Sequence, residues 1–275
     1  MIKKLPATKP LLDRMNDTLA QSKADDDRQF VTALGRGLSL LSGFEHHEQL
    51  SHQQLCQLTA LPKATVTRLI YTLTTLGFLR TTVEGQYRLG SSAVRLSATA
   101  WSRHDMVVSA KPLLRQFATE NQVSVNLATE IEGEMRYHAC CRSPARLSVN
   151  LQVGSAVPVA RTAIGRAFYA ASSQARQAVI RSNLQEHLST EDYNHAQSAL
   201  SDAAEHYRAH GYTVSDGEFS TDILAVAVGV FDVATGQYTY SLNASVPSAN
   251  WQADEYAATI VPKLQALAER IGRGA

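Results

Sequence analysis

Between Pro62 and Gly77, the residues Lys63, Thr65, Thr67 and Arg68 are interleaved with Val66, Leu69, Ile70 and Leu73. The apolar set recurs at three- and four-residue spacing, which predicts a helix from about Lys63 to Leu76 with one buried side and hydrogen-bonding groups around the rest. Such groups near a helix start can address base-pair edges. Arg and Lys donate to guanine O6 and N7, whereas Thr bonds a base or a phosphate and offers its methyl to thymine. Other chemistries fail on spacing. His46-His47-Glu48 lacks the second His that a zinc protease needs four residues after His47, and no Gly-x-Ser-x-Gly, phosphate loop or Gly-x-Gly-x-x-Gly occurs. His104, His138, Cys140 and Cys141 match no common zinc spacing, so neither a metal nor a cofactor is expected, and the chain does not read as an enzyme.

The elements around this helix are legible from pattern. Phe30, Val31, Leu34, Leu38, Leu41 and Phe44 predict a helix with those residues on its core face, ended by Gly43. Ser51, with Gln54 three residues on, is placed as the N-cap of a short helix buried through Leu55 and Leu58. Thr59-Ala60-Leu61-Pro62 is then the turn, with Pro62 at the first position of the third helix and Gly77 at its end. The runs Phe78–Val83 and Gln86–Leu89 flank Glu84-Gly85 as a β-hairpin. Three helices followed by a hairpin predict a winged helix-turn-helix, whose recognition helix, here the third, enters the major groove of double-stranded DNA. On that arrangement Arg36, Arg80 and Arg88 are candidates for phosphate contacts, which set register and confer salt dependence without reading sequence, and Ser51 is a further DNA-binding candidate. A lone arginine on a hairpin is otherwise a solvated charge.

Length and charge agree with two parts. The 275 residues exceed the usual size of one domain, and the composition is that of an ordinary globular protein. Residues 28–95 hold Arg28, Arg36, Lys63, Arg68, Arg80, Arg88 and Arg95 against Glu45, Glu48 and Glu84, whereas residues 96–275 hold 14 Lys and Arg against 17 Asp and Glu. A near-neutral total therefore hides a basic N-terminal part. Residues 1–27 read as a mobile arm with a short helix around Leu11–Leu19, residues 28–90 as the winged helix, and residues 91–105 as a linking helix. Residues 106–275 read as one α+β domain, with helices about Pro112–Glu120, Thr162–Ala171, Ala175–Ser182, Tyr193–His210 and Ala253–Arg270. Its strands are expected at Val123–Ala128, Glu134–Ala139, Leu147–Leu151, Ile223–Phe231 and Tyr238–Ser245. No signal peptide and no membrane span is read, so the expected location is the cytoplasm. Cys56, Cys140 and Cys141 suggest inert thiols.

The segment Ser51–Leu61 followed by Pro62–Leu69 and Leu76–Leu79 resembles the IclR family of bacterial transcriptional regulators. So do Val153–Pro158, Thr162–Ala167 and Gly211–Glu218, in the family's order. Gly217, Gly229 and Val246 depart from its common residues. The resemblance implies a GAF-like C-terminal sensor domain, a homodimer that can pair into a dimer-of-dimers tetramer, a palindromic operator, and control of genes for the catabolism of small organic or aromatic acids. It also implies an effector pocket lined by Val149, Val157, Ala163, Ile164, Ser215, Ile223, Ala225, Asn243 and Ser245. Arg161 and Thr162 stand beside these at a helix start, where backbone N–H groups and a guanidinium suit an anionic ligand. Thr162 could equally be only an N-cap, and Arg161 could pair with a surface acid. A competing expectation is a regulator whose C-terminal domain only oligomerises. Repressor and activator are not distinguished.

Overall fold

A computed structural model describes residues 11–25, 27–45, 47–101, 105–142 and 151–274. The chain divides into two units, one over residues 9–103 and one over residues 104–275.

The N-terminal unit contains α1 (Leu11–Ala24), α2 (Thr32–Ser42), α3 (His52–Thr59) and α4 (Lys63–Thr75). The hairpin strands β1 (Leu79–Thr81) and β2 (Tyr87–Leu89) follow, and then α5 (Ser91–Trp101). Leu40, Phe44, Leu50, Leu55, Val66, Ile70 and Leu79 form its core. Two expectations change here. The segment expected as a mobile arm forms, over its described part, a helix longer than Leu11–Leu19, with Leu12 buried. Asn16 ties that helix down, because its Nδ2 donates to the Leu58 carbonyl and its Oδ1 accepts from Ser39 Oγ. The core face of α2 is also turned from the one expected: Val31, Leu34 and Leu38 are exposed, and Gly37, Ser39 and Leu40 are buried. Small residues explain the rotation. A Cβ on Gly35 would meet Leu19 at 2.9 Å and Phe30 at 2.8 Å, so α1 packs against α2 where side chains are least bulky.

Local rules account for the other joints. Ser51 and Gln54 close a reciprocal capping box at the start of α3. Ala60, at φ +51°, makes the left-handed turn into α4, and Pro62 is the N-cap rather than the first helical residue. At the far end Phe78 N–H donates to the Leu73 carbonyl and Gly77 N–H to that of Thr74, with Gly77 at φ +75°. Those are the two bonds of a Schellman motif, which turns the chain directly into the hairpin.

In the C-terminal unit six antiparallel strands run in the order β5-β4-β3-β8-β7-β6. They are β3 (Ser124–Ile131), β4 (Glu134–Cys141), β5 (Ala156–Pro158), β6 (Thr213–Asp216), β7 (Ile223–Asp232) and β8 (Gln237–Pro247). Helices α6 (Asp105–Asn121) and α10 (Ala253–Gly272) pack on one face of the sheet. Helices α7 (Ala163–Ala171), α8 (Gln174–His187) and α9 (Thr190–His210) form the layer on the other. The result is the two-domain class expected, a winged helix-turn-helix plus a GAF-like α+β domain. Strands β5 and β6 were not anticipated. The strand expected at Leu147–Leu151 falls largely on residues 143–150, outside the described residues. Among the described residues no helix is long and apolar enough to cross a membrane.

Candidate DNA-reading surface and effector pocket

On α4 the buried residues Val66 and Ile70 face the core, and Leu69 and Leu73 pack against it. At 100° per residue the opposite face carries Ala64, Arg68, Tyr71 and Thr75, with Thr67 beside it, while Lys63 lies over the core-facing side and is open only because it is the first residue of the helix. Arg68, Lys63 and Thr67 are exposed, as reading base edges requires. Thr65 is half-buried on the flank next to Leu69, less open than the other three. Tyr71, which the apolar repeat leaves off the buried side, is not among the candidates the sequence singles out, yet its ring is 74 % exposed on the outward face of this helix and offers a hydroxyl and a flat surface. An apolar-versus-polar pattern scores tyrosine ambiguously, so its only signal was its place one turn after Arg68.

The supporting residues have distinct settings. Ser51 Oγ accepts from Gln54 N–H as the cap of α3, which leaves the hydroxyl proton for another acceptor. Arg80 and Arg88 are directly opposite one another in the hairpin. Like charges in facing positions oppose strand pairing, so the pair is better explained by an anion outside than by the hairpin itself. Glu48 lies 3.6 Å from Arg88, an exposed contact of small energetic weight. Arg36 is half-buried on α2.

In the C-terminal unit the register gathers most of the expected pocket residues. Ser215, Ala225, Ser245 and Ser124 are neighbours across β6, β7, β8 and β3. The next row is Thr213, Ala227, Asn243, Asn126 and Cys140. By strand alternation both rows share the face that carries α7, since Ala225 and Ala227 pack in the same cluster as Ala163 and Ile164. Ser124, Ser215, Ser245, Asn126 and Asn243 are all buried there. Asn126 Nδ2 donates to Asn243 Oδ1 at 3.0 Å, a partner that only the cross-strand register reveals. Ile223 lies just beyond the serine row, half-buried against the same cluster.

The start of α7 is pinned over this face. Thr213 Oγ1 donates to the Ala163 carbonyl at 2.7 Å and Ser241 Oγ to that of Ile164 at 2.8 Å. Thr162 caps the helix, accepting from Gly165 N–H at 3.2 Å and donating to the Pro158 carbonyl at 2.9 Å. Its hydroxyl is thus committed to the backbone. The first N–H groups of the helix, those of Ala163 and Ile164, precede its internal ladder and can meet an acceptor.

Arg161 is turned elsewhere, its guanidinium donating to the Glu218 carbonyl at 2.9 Å. Beside it Arg166 donates through both terminal nitrogens to the Glu218 carboxylate and through Nε to the Ala160 carbonyl at 2.8 Å. Together these arginines hold Glu218 by its carbonyl and its carboxylate. Val157 is also apart from the serines. It pairs with Met135, and Met135 with Glu130, six residues along β3 from Ser124, about 20 Å at strand rise. Val149 lies outside the described residues.

Burial pushes the Cys140 thiol up to about 12, with Cys141 adding to the rise, so Cys140 stays protonated at neutral pH. Among the described residues no group of three or more His, Cys, Asp or Glu side chains could hold a metal ion.

Two family models match the chain: the IclR helix-turn-helix domain over residues 33–82, and the bacterial transcriptional regulator IclR C-terminal domain over residues 98–273. The HTH-type transcriptional regulator TsaQ1/TsaQ2 of Comamonas testosteroni is 30 % identical over 203 residues, 73 % of each chain. The Pca regulon regulatory protein of Pseudomonas putida is 30 % identical over 229 residues, 80 % of this chain and 75 % of that one. Among solved structures, an IclR family transcriptional regulator from Brucella abortus superposes with a TM-score of 0.68 at 29 % identity, covering 92 % of this chain and 96 % of its own. An IclR homologue from Microbacterium hydrocarbonoxydans, complexed with 4-hydroxybenzoate, shares the fold with a TM-score of 0.71 at 20 % identity, over 88 % of this chain and 100 % of its own. These regulators are not enzymes. A basic helix-turn-helix whose third helix turns Arg68 and Tyr71 outward, and a separate α+β unit with buried polar rows on its inner sheet face, complete the same two-part plan: the chain belongs to the IclR family of DNA-binding transcriptional regulators.

Proposed function

We propose that the regulator's operator binding is controlled by a small organic or aromatic acid, held between the serine row and the start of α7. The observation that carries this reading is the row itself. Ser215 and Ser245 are buried on either side of Ala225, hydroxyls on an inner sheet face otherwise walled by apolar residues, where they can orient a bound ligand. A carboxylate could accept from the Ala163 and Ile164 N–H groups, while the serines and Asn243 bond the other end of the ligand. The 4-hydroxybenzoate bound by the Microbacterium homologue is an acid of this type.

On this reading residues 28–90 bind DNA, 91–105 link, and 106–275 bind effector and oligomerise, in a cytoplasmic homodimer or dimer of dimers on a palindromic operator. Lys63, Arg68, Tyr71, Thr67 and Thr65 address the major groove, while Ser51, Arg36, Arg80 and Arg88 address phosphates. Arg161 contributes by holding the Glu218 carbonyl rather than by binding the acid.

Thermal unfolding against a panel of acids that includes 4-hydroxybenzoate tests the proposal. A ligand at about one hundred times its dissociation constant stabilises by about 2.7 kcal/mol. Loss of that stabilisation in both Ser215→Ala and Ser245→Ala, with melting otherwise unchanged, is expected. No stabilisation by any acid, with DNA binding intact, would instead favour a C-terminal unit that only oligomerises.

A further inference from the structure

A chain of three hydrogen bonds joins α3 to α4 on the outer side of the helix-turn-helix. Cys56 Sγ lies 3.6 Å from His52 Nδ1, His52 Nε2 lies 2.9 Å from Thr67 Oγ1, and Thr67 Oγ1 lies 2.9 Å from the Lys63 carbonyl. Counting protons gives each bond its direction. A carbonyl can only accept, so the single Thr67 hydroxyl proton goes to Lys63. Thr67 Oγ1 must then accept from His52, which places the imidazole proton on Nε2 and leaves Nδ1 to accept from the Cys56 S–H. The opposite tautomer would set two acceptors against the one hydroxyl proton and make one bond fewer.

The consequence falls on Thr67. Its proton is spent within α4 and one lone pair is spent on His52, so the exposed hydroxyl retains a single acceptor site. Bases differ in what they offer such a site: adenine N6 and cytosine N4 donate in the major groove, whereas guanine O6 and N7 and thymine O4 accept. We infer that His52 is a positioning residue for sequence reading, holding Thr67 as an acceptor-only reader that selects adenine or cytosine on the contacted strand. The inference rests on the reading that α4 is the helix presented to base edges. It assigns a role to His52, Cys56 and the direction of the Thr67 contact, which neither helix periodicity nor family likeness supplies.

The test uses full-length protein and a pool of randomised duplexes, from which bound sequences are selected with wild type, His52→Ala, His52→Gln and Thr67→Val. Thermal unfolding checks that each variant is folded. Wild type should enrich adenine or cytosine by about fivefold at one position per half-site, the weight of one net hydrogen bond. Thr67→Val and His52→Ala should each flatten that position and no other. Gln, whose amide nitrogen can donate as Nε2 does, should restore the preference. A base profile in His52→Ala identical to wild type, or a uniform loss of affinity with the profile unchanged, overturns the inference while leaving α4 as the reading helix. Absence of any enriched sequence with wild type overturns both.

Discussion

Arg68 and Tyr71 stand one turn apart on the outward face of α4, and nothing in the folded unit requires either to be there. A side chain that is exposed and carries no core contact can be removed at little cost to folding, commonly within about 0.5 kcal/mol. Arg68→Ala should therefore leave the melting temperature within a degree or two of wild type. If Arg68 bonds guanine through two nitrogens, the same change should weaken operator binding roughly tenfold to a hundredfold, about 1–3 kcal/mol. Gel-shift titration on the operator measures it, and equal affinity in the variant would take Arg68 out of the reading set. The wing arginines predict a different signature. Arg80→Ala removes a facing like charge, so stability should hold or rise slightly, while the slope of log affinity against log salt should fall in magnitude by about one per half-site. Lys63 and Arg68 were legible because a cation beside an apolar repeat is visible in one dimension. Arg166 was not, since its partner Glu218 is 52 residues away and only the fold joins them.

At the scale of elements, two glycines show what fixes the site. Gly165 sits in the first turn of α7, where a Cβ would lie 2.3 Å from the Val159 carbonyl oxygen and 2.5 Å from its Cα. Both are backbone atoms and cannot swing aside, so the turn before α7 and the helix must separate. Gly165→Ala should cost about 1–3 kcal/mol or more, and should reduce effector stabilisation beyond that, because the Ala163 and Ile164 N–H groups move with the turn. Calorimetric melting with and without the acid separates the two effects, and a variant with normal ligand stabilisation would detach the helix start from the pocket. Gly77, left-handed and with Ser92 Oγ at 2.8 Å from its would-be Cβ, plays the corresponding part between α4 and the hairpin.

Capping boxes, Schellman glycines and long amphipathic repeats are local, which is why α3, α4 and α10 could be read almost to the residue. The face of α2 could not. Its apolar repeat is genuine, but Gly35, Gly37 and Ser39 decide which side α1 and α4 approach, and small residues leave no hydropathy signal. Strands β5 and β6 have three and four residues, too few for alternation to register. The pocket rows were half legible: Ser215, Asn243 and Ser245 could be placed by likeness to the family, but Asn126 and Ser124 enter only through strand register.

At the scale of the whole molecule, the charge is divided as the work is. Basic residues predominate in the part that meets DNA, while the α+β unit holds more acids than bases, so long-range attraction favours approach of the helix-turn-helix. Coupling between the units is a question of free energy before it is one of geometry. An effector can change operator affinity only by the difference in its own affinity for the two states of the protein, however tightly it binds. The exchange is reciprocal: an acid that weakens operator binding twentyfold must itself bind twentyfold more weakly to the DNA complex, about 1.8 kcal/mol at 1.4 kcal/mol per factor of ten. Isothermal titration of the acid into free protein and into the protein–operator complex should return that same factor. Equal affinities in the two titrations, with operator binding still altered by the acid, would break the linkage and place the acid's action on the DNA or on a second protein. A matching factor would make the proposed acid site at the start of α7 one end of a single two-state switch, with the outward face of α4 at the other.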